Sequence, residues 1–430
     1  MLERIFKLKQ NHTNVKTEII AGISTFLSMV YIVAVNPQIL SQAGMDYGAV
    51  FVATCLAAAF GTALMGFLAN YPIALAPGMG LNAFFTYGVV LGMGYSWQIA
   101  LGCIFWSGIL FVLLSVFKTR KWIINSIPRS LKYAISVGIG LFLAMIALQN
   151  SGIIVANQAT LVGLGDVSSK SSLLAFAGFF IIASLYIRQI PGAIIIGIIS
   201  ITMISLIFDL TEYKGIISIP PSMAPTLAQL DFSAVLDLAL LPIIITFLFV
   251  DLFDTSGTLI AVADKADLLD KNGQLPRVEK AMLADSGATV AGAVFGTSST
   301  TSYIESGAGV VSGGRTGLTA FTTAILFLLM LFFSPLVAMI PNFATAPALF
   351  FVAVLMIASI KNIDWNNLSE TAPVVITSVM MPLTFSIAEG IAMGFIAYTL
   401  IKLFSGKAKD LNTSVYLISL LFLAKYFFLN

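Results

Sequence analysis

The run Phe249-Val-Asp-Leu-Phe-Asp-Thr-Ser-Gly-Thr258 sets Asp251, Asp254, Thr255 and Thr258 at i, i+3, i+4 and i+7 within a stretch apolar enough for a lipid bilayer. Those positions share one face of a helix. An ionised side chain in hydrocarbon costs at least roughly 2.5 kcal/mol, so an acid persists there only against a partner, a cavity or a solute. No Lys or Arg lies at matching depth in any other apolar stretch. The two acids are therefore protonated, hydrogen-bonded or poised to exchange protons. Asp251 is the stronger choice for contact with solute or proton. Asp254, one turn nearer the cytoplasm, reads equally well as a structural hydrogen-bonder. A third acid, Glu305, follows Ser302 and Tyr303 and precedes Ser306. A carboxylate accepts two parallel N–H bonds, which suits a planar solute whose edge presents adjacent donors. Asn82 offers both a donor and an acceptor and suits a mixed edge. Phe84, Phe85, Tyr87 and Tyr303 could supply ring faces for stacking, although packing accounts for each one singly. Asp285 is expected near the membrane interface, in a supporting role.

These residues need elements that hold them at depth. The chain has 430 residues, 58% hydrophobic and 10% charged, with a mean hydropathy of +0.98. That balance excludes an ordinary soluble globule and points to a polytopic helical membrane protein. Fourteen segments are expected to span. The first seven lie near 19–36, 48–69, 76–92, 97–117, 131–149, 172–187 and 192–208. The second seven lie near 239–262, 281–296, 299–312, 317–339, 347–360, 372–388 and 390–404. With the N-terminus cytoplasmic, this count puts nearly all Lys and Arg inside: Lys118, Arg120, Lys121, Arg129 and Lys132, then Lys265, Lys271, Arg277 and Lys280, then Lys402, Lys407 and Lys409. Lys170 and Lys214 fall outside, where the longest loop also carries Asp209, Glu212, Asp231 and Asp237. The apolar segment 415–428 fits either a surface helix or a further crossing. Cys55 and Cys103 belong to no metal-type cluster and read as packing residues. The single histidine, His12, precedes the first span, so a proton path through the membrane must use carboxylates. No cofactor or metal is expected.

Two spans are broken. Ala76–Gly88 reads APGMGLNAFFTYG and Ser299–Val310 reads STTSYIESGAGV. Aligning Asn82 with Glu305 gives an offset of 305 − 82 = 223 residues, and the same offset carries Ser28 onto Asp251. Each half then holds seven spans, and an odd number makes the second half enter from the opposite side, an inverted repeat. Interrupted helices at matching places in two halves are the best sequence pointer to a transporter's site, because their free backbone groups lie at the bilayer midplane. The expected divisions are a cytoplasmic N-terminus at 1–18, a first repeat at 19–212, a second at 239–404 and a C-terminal segment at 405–430.

At these residues the chain resembles the nucleobase:cation symporter-2 family, in its adenine, guanine and hypoxanthine permease (AzgA-like) branch. The motifs are APGMGLNAFFTY, DLFDTSGTL, TSSTTSYIESGAG with GGRTGL, and MMPLTFSIAEGIAMGF, which run along essentially the whole chain. Each break is expected to hold a short strand plus a half-helix, and the resemblance implies a core domain of spans 1–4 and 8–11 and a gate domain of spans 5–7 and 12–14. It also implies a plasma-membrane homodimer, elevator-like movement and proton-coupled purine uptake. Carried over by position, Asn82, Asp251, Asp254 and Glu305 are associated with purine binding or transport, with Ser306, Tyr303, Phe84 and Ser28 beside them. Glu305-Ser306 replaces the glutamine-asparagine type of pair in uracil and xanthine members, and Ala308 a glycine, so the base contacts of those members do not transfer.

Two other readings were weighed. A sulfate-type anion carrier would share the plan but should present cationic or backbone donors rather than three uncompensated acids. An intramembrane prenyltransferase needs two acid-rich motifs at one face to hold Mg²⁺ and a diphosphate; only one paired motif is present, and its repeat partner holds Ser28 and Tyr31. Neither enzymatic chemistry nor nucleic-acid binding is expected.

Overall fold

The computed structural model describes residues 2–116, 128–233, 238–266, 268–270 and 275–428; Lys118, Arg120, Lys121, Asp237 and Lys271 of the charge pattern lie outside the described residues. A short helix, α1 (Leu2–Phe6), precedes an apolar rod made of α2 (Val15–Met29) and α3 (Ile32–Ser41), interrupted at Val30 and Tyr31. The rod starts where Asn14 accepts a hydrogen bond from the Thr17 N–H, four residues before the expected Ile19. Helix α4 (Tyr47–Leu64), capped by Asp46, widens into a π-helical turn at Met65–Ala69 and stops at Asn70, whose φ is 55°. Strand β1 (Leu75–Pro77) leads into α5 (Met79–Ala83) and a π-helical continuation, Phe84–Gly92. Next come α6 (Trp97–Val116), α7 (Arg129–Asn150), the hairpin β2 (Ile154–Asn157) and β3 (Leu161–Leu164), α8 (Lys170–Ile187) and α9 (Ala193–Ile207).

The second half repeats the order. It has α10 (Leu241–Lys265), α11 (Val278–Phe295), strand β4 (Thr300–Ser302), the half-helix α12 (Ser306–Val311), and α13 (Gly317–Met330) with the short α14 (Ser334–Ala338). It continues through α15 (Asn342–Ile357), α16 (Leu368–Leu383), α17 (Ile387–Phe404) and α18 (Thr413–Phe428). The expected segments overlap helices or a strand with its half-helix, with one shift of boundary: 372–388 runs past the end of α16 at Leu383 into the start of α17 at Ile387. Among the described residues, nine helices are long and apolar enough to cross a membrane, and shorter apolar helices include Met79–Gly92, Ala193–Ile207 and Leu368–Leu383.

Helices from both halves interleave in two groups. In one, α13 packs on α2 and α4, α11 on α4 and α6, α10 on α6, and α12 on α2. In the other, α7 packs on α15 and α16, α17 on α16, and α8 on α15 and α9. Between α9 and α10 the chain runs as a strap across the first group: the backbone N–H groups of Ser218, Ala228 and Asp231 donate to the carbonyls of Phe332, Val294 and Gln98.

Close packing in the first group depends on small residues, as expected where helices meet without a hydrophobic driving force. A Cβ on Gly317 would lie 2.1 Å from the Gly66 carbonyl oxygen, and one on Gly309 would lie 2.1 Å from Thr25 Oγ1. Buried Glu18 on α2 ties the same helices by polar means. Its carboxylate accepts from the N–H groups of Arg315, Thr316 and Thr319 and from the hydroxyls of Thr316 and Thr319. It therefore satisfies the free donors at the start of α13 and places a negative charge at the positive end of that helix. The C-terminal helix α18 runs antiparallel along α17: Ser419 Oγ lies 2.7 Å from Thr399 Oγ1, and the Tyr426 hydroxyl bonds Glu389 further along.

Candidate functional site

The two breaks meet. Strands β1 and β4 pair antiparallel, with Leu75 opposite Ser302, Ala76 opposite Thr301 and Pro77 opposite Thr300. Proline and serine or threonine make poor helix here because Pro77 lacks an N–H and the hydroxyl residues compete for backbone partners. The short ladder is extended by Gly78 N–H to the Ser299 carbonyl and Tyr303 N–H to the Ala74 carbonyl. The Thr62 hydroxyl serves both the N–H and the carbonyl of Leu75, each at 2.9 Å. Backbone at this depth is thus satisfied by protein, as a bilayer requires.

From this crossing the half-helices leave with different registers. Glu305 stands immediately before α12, whereas Asn82 lies three residues inside α5, which Gly78 precedes. A constant offset therefore pairs the breaks correctly but not these two residues: the structural counterpart of Glu305 at the break is Gly78. Glu305 is half-buried, and its Oε1 accepts a 2.6 Å hydrogen bond from the hydroxyl of Tyr31, which is wholly buried in the interruption of the first rod. Asp254, also half-buried, is near enough to Glu305 for their charges to interact, and so is Tyr186 of α8, whose ring packs against Phe351. Asp254 makes no hydrogen bond among the described residues, whereas Tyr31, Glu305, Asp254 and Tyr186 converge from four different elements.

Asp251 points elsewhere. It is completely buried, its Oδ2 2.8 Å from Thr289 Oγ1 on α11, and its Oδ1 has no partner among the described residues. The Thr289 hydroxyl also lies 3.0 Å from the Thr300 carbonyl of β4. Beside it, Asp285 is fully buried too, its two oxygens accepting from Thr255 and Ser302, each at 2.8 Å. Asp285 is thus well inside α11 and not at its interfacial start. Two buried acids, held through hydroxyls, fasten β4 between α10 and α11.

The remaining expected residues divide by task. Asn82 is fully buried; its Oδ1 accepts from the Ser298 hydroxyl, and its Nδ2 is unpartnered among the described residues. The Ser306 hydroxyl accepts from the Ala74 N–H at 3.0 Å, and the Tyr303 hydroxyl donates to the Pro77 carbonyl at 2.5 Å, so both side chains hold the crossing together. Phe84 packs its ring 4.8 Å from that of Phe247. Ser28 donates to the Ser24 carbonyl one turn back. Tyr31, Thr289 and Asn36 join the expected site residues; the Asn36 amide bridges Thr54 and Thr297 at 2.7 and 2.8 Å. The repeat did carry a signal for Tyr31, since the offset of 223 places it on Asp254 (254 − 223 = 31).

A helical membrane protein whose two halves bring interrupted spans together at half-buried and buried carboxylates is a transporter by architecture. A permease family profile matches residues 16–393. The chain belongs to that family, the nucleobase:cation symporter-2 permeases, and is a multi-pass membrane transporter rather than an enzyme. It is 50% identical over 430 residues to the adenine permease AdeP of Escherichia coli, covering 100% of this chain and 97% of that protein. It is 46% identical to the guanine/hypoxanthine permease PbuG of Bacillus subtilis, with 100% of both chains covered. Among solved structures it resembles the transmembrane domain of the cyanobacterial bicarbonate transporter BicA, with a TM-score of 0.63, 15% identity, and coverage of 90% of this chain and 97% of that one. Murine Slc26a9 in its inward-facing state gives a TM-score of 0.65 at 12% identity, covering 90% of this chain and 68% of that one. These two likenesses concern the fold.

Proposed function

We propose that the chain imports purine nucleobases by proton symport across the plasma membrane. The observation that carries this reading is Glu305, a half-buried carboxyl with Oε1 held by Tyr31 at the meeting point of two broken spans. Relatives that match along the full length are named as adenine and guanine/hypoxanthine permeases, which supports purines as the solute. In this reading Glu305 grips the edge of the base. Asn82 supplies its unpartnered amide nearby, and Ser306, Tyr303, Phe84 and Ser28 shape the surrounding wall.

The coupling proton is assigned to Asp251, Asp254 and Glu305; Asp254 and Glu305 are half-buried, whereas Asp251 is enclosed, so its proton exchanges only when the surrounding helices move. One hydroxyl proton on Thr289 cannot serve both Asp251 and the Thr300 carbonyl; a protonated Asp251 would donate to Thr289 and resolve the shortage. Spans 1–4 and 8–11 are the moving core and spans 5–7 and 12–14 the gate of an elevator, a division supported by the two packing groups. The N-terminus is cytoplasmic on the charge pattern, and the working unit is a homodimer by family resemblance.

The test is competition among adenine, guanine, hypoxanthine, xanthine and uracil for radiolabelled hypoxanthine uptake, at two pH values, with and without a protonophore. Purine-selective, protonophore-sensitive uptake that Glu305→Gln abolishes is expected. Wild-type hypoxanthine accumulation in a Glu305→Gln strain would sink the assignment.

A further inference from the structure

Glu305 is held asymmetrically, and the asymmetry has a chemical meaning. Oε1 accepts the Tyr31 hydroxyl at 2.6 Å, and besides this residue's own backbone N–H no other group among the described residues hydrogen-bonds the carboxyl. A carboxyl group whose one oxygen already receives a strong O–H donor keeps that oxygen as its acceptor and carries any proton on the other. We infer that Tyr31 is a positioning residue that confines the proton of Glu305 to Oε2, so that the carboxyl reads a purine edge offering one donor beside one acceptor. This rests on the purine reading above and deepens it.

The consequence differs among purines by their own chemistry. Adenine presents its 6-amino N–H next to N1, and hypoxanthine presents N1–H next to O6. Each pairs with a neutral carboxyl, the base N–H donating to Oε1 and the Oε2 hydroxyl donating to N1 or O6. An ionised carboxylate has no donor and leaves that acceptor unmatched, a loss that polar sites punish heavily. Guanine presents the same mixed edge but also N1–H beside its 2-amino group, two donors that suit the ionised form. Binding adenine or hypoxanthine therefore takes up a proton at the carboxyl that grips the base, and binding guanine does not require one. Solute and proton are joined on one side chain for the first two.

The groups that face Glu305 are compatible with this. Tyr31 comes from the first rod, Tyr303 from the end of β4, Asp254 from α10 and Tyr186 from α8. A cation also approaches this region: Lys265, at the end of α10, has its Nζ 3.7 Å from the place of a Cβ on Gly307, two residues beyond Glu305. Tyr31 alone among these groups is hydrogen-bonded to the carboxyl.

Equilibrium binding of radiolabelled hypoxanthine and guanine to the purified full-length protein, at about pH 6 and about pH 8, tests the inference in wild type and in Tyr31→Phe. Hypoxanthine affinity in wild type should fall by up to about tenfold per pH unit above the titration of Glu305. Guanine affinity should move by no more than roughly twofold between the two pH values. Compared at about pH 6, Tyr31→Phe should weaken hypoxanthine by up to about tenfold and guanine by no more than about twofold. Equal pH dependence of the two bases in wild type overturns the inference even if the variant fails to fold, and so does equal weakening of both bases in a folded variant. Absence of any purine binding by wild type would instead remove the functional reading on which it stands.

Discussion

Glu18 and Thr319 are 301 positions apart in sequence, yet the Glu18 Oε2 accepts both the Thr319 N–H at 3.2 Å and its hydroxyl at 2.6 Å, and that hydroxyl also lies 3.3 Å from the Glu18 carbonyl oxygen. The pair fastens the entry of the first apolar rod to the first turn of α13. Replacing Glu18 by Ala leaves several donors buried and unmet, and hydrogen bonds to a charged group contribute about 1.5–3 kcal/mol each without full additivity. Glu18→Ala should therefore destabilise the protein by roughly 3 kcal/mol or more, read as a lower melting temperature of the purified protein. Glu18→Gln should recover part of that loss.

Gly317 and Gly257 offer a matched comparison. A Cβ at Gly317 would strike the Gly66 backbone, whereas one at Gly257 meets nothing within 4 Å. Backbone cannot move aside as a side chain can, so Gly317→Ala should cost at least about 1–3 kcal/mol. Gly257→Ala should be neutral or stabilising by up to roughly 1 kcal/mol, since it sits mid-helix. Thermal stability of the two variants side by side decides this.

Lys402 is a nearly buried cation whose Nζ lies 2.6 Å from Glu370 Oε1, with Ser130 and Tyr398 also on that carboxylate. Breaking a buried pair from one side is worse than removing both partners. Glu370→Gln should cost roughly 3 kcal/mol, the lower part of the usual range because Glu370 keeps 21% of its side-chain surface exposed. The double variant Glu370→Leu with Lys402→Met should regain most of it. A double-mutant cycle in melting temperature measures the coupling.

Asp251→Asn keeps the shape of the buried side chain and supplies an amide donor for Thr289, so the fold should persist. Concentrative uptake should fall about tenfold or more, while exchange of labelled for unlabelled base across proteoliposomes should stay within roughly threefold of wild type. Undiminished accumulation in a folded Asp251→Asn protein would falsify a coupling role for this residue.

Much of the architecture was legible because membrane spans announce themselves by length and apolarity, and because breaks in them need glycine, proline or hydroxyl residues. Short strands were expected at the two breaks from the same residues, and their direct pairing appears only in the structure. The register between Asn82 and Glu305 was not legible: one residue separates strand from half-helix in the first break and three in the second, and a constant offset cannot show that. Glu18 escaped because it precedes the apolar run, and its partners lie some 300 residues on. Asp285 was misplaced in depth because α11 is rich in alanine, glycine, serine and threonine, which lowers its hydropathy although it packs tightly between α4 and α6. Tyr31 was hidden by type, since a tyrosine within an apolar span ordinarily packs.

The pairing of Leu75–Pro77 with Thr300–Ser302 also bears on biosynthesis. The ribosome must add more than two hundred residues after the first strand before its partner exists, and until then the edge groups of β1 have only local hydroxyls such as Thr62 to satisfy them. Contacts this distant in sequence form late and leave a half-made chain open to wrong pairings. The nascent first half is thus a natural client for the insertion machinery, and the candidate site comes into being only when the second strand arrives to close it.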